Sequence, residues 1–132
     1  MRIRKLSMSD ASVLLNLFLS QASLQDTGVN VSKDEINKAF VENWLKDAIS
    51  EYSKLNPSFL DYGVYLNGSL IGIIGVGKID YSKKIAELGY WISESNCGKG
   101  YCTKAIKLFL SYLKEKRDFK KIIAEVSKDN PA

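Results

Sequence analysis

The stretch 96–105, N-C-G-K-G-Y-C-T-K-A, concentrates residues that could do chemistry, and the amphipathic run I-K-L-F-L-S-Y-L-K-E-K follows it directly. Gly98 and Gly100 flank Lys99 just where that helix must begin. The first backbone N–H groups of a helix have no intrahelical acceptor, and the helix dipole places partial positive charge on them. Glycines let the backbone approach an anion closely, Lys99 adds charge, and the Thr103 hydroxyl can donate another bond. Such a loop suits a pyrophosphate. A turn that merely opens a helix would use the same residues, and local physics leaves the two readings level.

Other chemistries are narrowed by what the chain contains. Gly72 to Lys78 has the spacing of a P-loop, G-x-x-x-x-G-K, but Ile79 stands where a metal-binding Ser or Thr is required. The segment reads instead as a strand. A dinucleotide fingerprint at Gly98-Lys99-Gly100 needs Gly or Ala at position 103, where Thr103 stands. The chain has no histidine, which excludes Ser–His and Cys–His nucleophile pairs and any Cys/His zinc site. Cys97 and Cys102 are too few for a thiolate metal site and too close to a helix start for a disulfide. No metal is expected.

The elements that position the loop can be read from periodicity. With 132 residues, 45% apolar and 26% charged, the chain has the size and composition of one soluble domain. No apolar run is long enough to span a bilayer and no signal peptide is legible, so we expect a cytoplasmic protein with no membrane partner. The net charge of +4 favours anionic partners in general. No zinc finger, RNP signature or basic heptad region supports nucleic acid. Arg2–Leu6 reads as a strand, and the capping-box pair Ser7 and Asp10 precedes a helix through Val13, Leu14, Leu17 and Phe18. Asp26–Asn30 reads as a loop. Ser32 and Glu35 repeat the box before a helix carrying Ile36, Ala39, Phe40, Trp44, Ala48, Ile49 and Tyr52, which Asn56-Pro57-Ser58 stops. Strands follow at Tyr62–Leu66, Ser69–Ile79 and Ile85–Ile92, the first two joined by the hairpin turn Asn67-Gly68. A helix from about Gly100 and a strand at Lys121–Val126 complete a mixed α/β (α+β) order, β-α-α-β-β-β-α-β.

This order and loop together resemble the GNAT N-acetyltransferase superfamily, whose [Q/R]-x-x-G-x-[G/A] loop binds the pyrophosphate of acetyl-CoA. The nearest branch is that of the ribosomal-protein N-terminal acetyltransferases. Glu87-Leu88-Gly89-Tyr90-Trp91-Ile92 is similar to its E-x-G-Y-W-I, and Gly98 to Ala105 is similar to its G-K-G-Y-A-T-E-A. Asp129-Asn130-Pro131-Ala132 resembles its D-x-N-P-A-S turn. Cys97, Cys102 and Lys104 depart from that pattern, in place of Gln, Arg or Trp, of Gly or Ala, and of Glu. Family members continue past the turn with a helix and a strand pair that commonly supply the general acid. Residues 1–132 therefore read as one GNAT domain, either C-terminally truncated or with the missing elements supplied otherwise, and with a last strand whose edge could pair with a second copy as a homodimer.

The resemblance implies direct acetyl transfer from acetyl-CoA to a primary amine, on a protein N-terminus or a small molecule. It places the pantetheine arm on the backbone of Tyr90, Trp91 and Ile92, one N–H serving as oxyanion donor. The phosphates fall on Gly98, Lys99, Gly100, Tyr101, Cys102 and Thr103. Asn130 would orient a water or the CoA arm. Glu87 is the candidate base, acting through water, because alternation puts Glu87, Gly89 and Trp91 on one face of the strand. A surface Glu87 paired with a lysine on the neighbouring strand is the plainer alternative. Phe18, Trp44 and Asp26–Asn30 fall where the family builds its acceptor groove, although aromatics at helical spacing are commonly core. A CoA-binding module without activity and, more remotely, a basic nucleic-acid-binding domain are the competing functions.

Overall fold

The computed structural model describes residues 1–21, 29, 31–96 and 98–124. Its elements run β1 (Arg2–Lys5), α1 (Ala11–Ser20), α2 (Lys38–Glu51), β2 (Leu60–Leu66), β3 (Ser69–Asp80), β4 (Ile85–Ile92), α3 (Tyr101–Lys116) and β5 (Lys121–Ala124). The mixed order expected from the sequence is the one observed. The strands form one sheet in chain order, antiparallel from β1 to β4 and parallel between β4 and β5. The β2–β3 turn uses Asn67 and Gly68 at φ of 52° and 83°, the left-handed pair that such a tight hairpin requires.

Both capping boxes form, but each closes a short 3₁₀ turn: Met8–Asp10 ahead of α1, and Lys33–Glu35 ahead of α2. The second helix therefore starts later than the apolar spacing suggests. Ile36 is extended, and Asn37 is the true N-cap, its Oδ1 accepting the Phe40 N–H at 2.9 Å. The apolar residues that α2 buries are Val41, Leu45 and Ala48, a cleaner helical stripe than one passing through Phe40 and Trp44. The P-loop-like glycines lie within β3, as the sequence indicates.

The sheet separates two cores. Under α1 and α2, Leu14, Phe18, Val41 and Leu45 pack with Leu70, Ile73 and Trp91. Under α3, Phe109, Ala105 and Leu113 pack with Leu60, Val64, Ile74, Val76, Leu88 and Ile92. A register shift beside Val64/Tyr65 inserts an extra residue in β3, so Leu70 and Ile73 reach the same core despite their odd separation.

A buried carboxylate locks β1 and α1 to the sheet. Asp10 is 8% exposed, and its Oδ2 accepts the Ser7 N–H at 2.9 Å and the Tyr65 hydroxyl at 2.8 Å. The Arg4 guanidinium stacks 4.0 Å from the Tyr65 ring centre. Replacing Tyr65 with Phe removes a donor to a buried charge, and we expect denaturant unfolding to show a loss of about 1.5–3 kcal/mol with an unchanged m-value. A loss below about 0.5 kcal/mol would mean that this lock contributes little.

Candidate active site

β4 leads directly into the glycine loop. After Ile92 the Ser93 N–H donates to the Ile71 carbonyl at 2.8 Å, and the chain makes one 3₁₀ turn over Glu94–Asn96. Asn96 is tied back to Ser93 through its backbone N–H at 2.9 Å and its Nδ2 at 2.8 Å. Gly98 and Gly100 then take φ of 77° and 76°, backbone that strains any L side chain. Gly100 is the N-cap of the 16-residue α3 and, having no side chain, makes no side-chain cap hydrogen bond of its own. A Cβ built at either glycine meets no atom within 4 Å, so the loop stands open. Lys99, Thr103 and Lys104 are exposed, and the first turn of α3 holds no acidic residue. A helix N-terminus and two lysines fit an anionic group of phosphate type.

A second feature opens on the α1/α2 face of the sheet. Pairing aligns Asp61 of β2 with Gly75 of β3, and Gly75 with Gly89 of β4; the next row aligns Gly77 with Glu87. Three glycines thus leave a bare floor, and a Cβ added at Gly89 meets nothing within 4 Å. At Gly75 the same Cβ would lie 2.3 Å from both Asp61 Oδ1 and the Leu60 carbonyl oxygen, so the β2 backbone leaves no room for a side chain there. The result is an open groove of about 320 Å³, walled by Trp44, Phe59 and Trp91 and carrying both Asp61 and Glu87.

The two carboxylates differ in environment. Glu87, 30% exposed at its side chain, has Lys78 Nζ 3.6 Å away across the β3–β4 pair. Asp61 keeps part of its surface open to the groove, yet among the described residues no donor or cation reaches its carboxylate. The dense surroundings strip it of water and push its pKa up to about 6. Its backbone carbonyl, by contrast, accepts the Tyr52 hydroxyl.

The residues singled out in sequence are distributed as follows. Tyr90, Trp91 and Ile92 end β4, next to the loop of Gly98, Lys99 and Gly100 and to Tyr101, Cys102 and Thr103 on α3. Trp91 packs its ring against Phe18 and also lines the groove. Phe18 is fully buried and belongs to the core, whereas Trp44 both packs edge-on against Phe18 and lines the groove. The lysine partner anticipated for Glu87 is present, and so is the open face beside it. Cys97, Asn130 and all of Asp26–Asn30 except Val29 lie outside the described residues. Sequence reading missed Asp61: it lies just ahead of the expected strand, in no motif, and only its register with Gly75 reveals it.

Comparison with known proteins adds an independent finding. Residues 1–132 match the family model described as acetyltransferase (GNAT) domain. The Bacillus subtilis protein YdaF is 29% identical over 91 residues, 69% of this chain and 46% of that protein. The ribosomal-protein-serine acetyltransferase of Escherichia coli is 28% identical over 68 residues, 52% of this chain and 38% of that protein. In both comparisons the match spans less than half of the relative's length. A solved structure of RimL, a ribosomal L7/L12 alpha-N-protein acetyltransferase in complex with coenzyme A, superposes with a TM-score of 0.81 at 16% identity, covering 96% of this chain and 72% of that one; at that identity the likeness is one of fold. Among the described residues no helix is long and apolar enough to cross a membrane.

The desolvated Asp61 should leave a stability signature. Its folded pKa of about 6 exceeds the ordinary 3.8, so the carboxyl favours folding when protonated and loses that contribution as pH rises from about 4 through 6. Asp61→Asn removes the ionisation. We expect the variant to be more stable than the parent by about 1–2 kcal/mol at pH 7, allowing for residual solvent contact, with the difference vanishing near pH 4 in pH-dependent urea unfolding. A variant less stable at pH 7 than at pH 4, relative to the parent, would show that Asp61 is a paired charge.

Proposed function

Because the chain belongs to the GNAT acetyltransferase family, we propose that it is an acetyl-CoA-dependent N-acetyltransferase acting on a primary amine by direct transfer. The observation that carries this reading is the geometry around β4. The strand ends beside an open, cationic helix N-terminus and presents Glu87 to a groove on the opposite side from α3.

Each part of the reaction then has a place. The amides of Gly98–Thr103, aided by Lys99, would hold the pyrophosphate, and the exposed Thr103 hydroxyl can supply a further donor. The backbone of Tyr90–Ile92 would hold the pantetheine arm, and an N–H of that segment would stabilise the oxyanion. The acceptor amine enters the groove over Gly89. Glu87, through a water, takes one proton from the incoming ammonium; the neutral nitrogen attacks the thioester carbonyl and forms the C–N bond, the C–S bond breaks, and the second proton lost from nitrogen passes to the departing sulfur. Asn130 would assist by orienting a water or the CoA arm. The name of the Escherichia coli relative supports a protein acceptor. The Lys78–Glu87 contact favours a second reading, a CoA-binding module without turnover.

Calorimetry with CoA and a thiol-release assay with amine acceptors separate these readings. We expect CoA to bind and thiol release to depend on an amine. Gly100→Val, strained by its positive φ and not by a clash, should weaken CoA binding at least tenfold while circular dichroism stays native. Unchanged affinity would remove the phosphate cradle. Glu87→Gln should lower kcat by about 100-fold or more with little change in CoA affinity. A loss under threefold would return Glu87 to its pairing with Lys78, and a flat trace with every acceptor would leave only the module.

A further inference from the structure

Asp61 is not needed for any step above, and its setting asks for a ligand. It faces the same glycine floor as Glu87 but two strands away: its backbone lies about 10 Å from in-register Gly89, and Glu87 is two residues further along β4, about 12 Å off at ordinary strand spacing. Trp44 and Phe59 stand beside it, aromatic faces suited to a cation. Buried charges are normally paired, yet no described residue offers this carboxylate a donor or a cation, although lysines are abundant on this chain. The nearby Glu87 has Lys78, and the buried Glu51 has Lys54 and the Ser58 N–H at 2.8 Å. Of these three carboxylates, Asp61 is the one that faces the groove without a partner among the described residues.

We propose that Asp61 is a specificity-determining residue that binds a second positive charge on the acceptor while the reacting amine lies over Gly89 beside Glu87. The inference rests on the acetyltransferase reading and narrows it to acceptors of one chemical class, dicationic primary amines. The two charges would be separated by no more than two strand spacings. An aliphatic diamine and a peptide with lysine close to its N-terminus both satisfy that description. A cation seated between Trp44 and Phe59 would replace the water that burial removes from the carboxylate. A neutral or single-charged acceptor would leave Asp61 desolvated and uncompensated.

The test compares aliphatic diamines with monoamines of equal length, and N-terminal peptides carrying lysine with the same peptides carrying norleucine. Turnover is followed by thiol release. Binding is followed through the fluorescence of Trp44 and Trp91, the only tryptophans in the chain, in the presence of CoA. In the parent we expect kcat/KM for the dication to exceed that for the monocation at least tenfold, through KM. Asp61→Asn should bring the ratio close to one. Glu115→Gln, which changes an exposed carboxylate on α3 across the sheet from the groove, should preserve the ratio and so separate local recognition from long-range charge. Which series shows the preference identifies the source, small molecule or protein. Turnover with no dication preference, or a preference that survives Asp61→Asn, overturns the proposal and leaves the acetyltransferase reading intact. Tight dication binding lost in Asp61→Asn, but with no turnover, upholds the proposal and overturns catalysis. Absence of both binding and turnover overturns the two together.

Discussion

Side chains of β4 alternate between two cores. Leu88, Tyr90 and Ile92 pack with the helix that carries the glycine loop, while Trp91 packs on the other side against Phe18. Phe18 is in turn held edge-on by Trp44 of α2, with ring centres 5.9 Å apart. This aromatic contact seats the helix pair over the Trp91 end of the strand. Toward Glu87 the same face carries Gly75, Gly77 and Gly89, and no bulky side chain fills the sheet surface. Where the face is bulky it is covered, and where it is glycine it is a groove.

The consequence is a molecule of opposite polarity at either side of one strand. The open N-terminus of α3, with Lys99 and Lys104, offers fixed positive charge. The groove offers carboxylates against an apolar wall. That arrangement suits a reaction joining an anionic donor to an amine acceptor, because each partner is drawn to its own entrance. It also costs stability. A carboxylate as desolvated as Asp61 would be replaced by an apolar or amide residue if the fold alone were at stake, and such costs are typical of binding sites.

Much of this was legible in the residues. The capping boxes, the Asn67-Gly68 hairpin, the strand over Ile85–Ile92 and the glycine loop before α3 all depend on local chemistry, and local chemistry is what a sequence displays. The start of α2 misled because Ile36 keeps helical spacing with the residues after it while Asn37 is the better cap. The bulge at β3 and the exchange of Asp10 with Tyr65, 55 residues apart, depend on tertiary register, which periodicity does not carry. Asp61 belongs to the same class. Its meaning arises only when two neighbouring strands bring Gly75 and Gly89 into its row.

The central claim is that β4 delivers CoA to the backbone of the loop opening α3. Amide hydrogen exchange measured with and without CoA tests it residue by residue. We expect CoA to slow exchange selectively at the amides of Gly98–Lys104 and at the end of β4, with β1, β2 and α2 unchanged. Protection confined to other segments, or none at saturating CoA, would contradict the account.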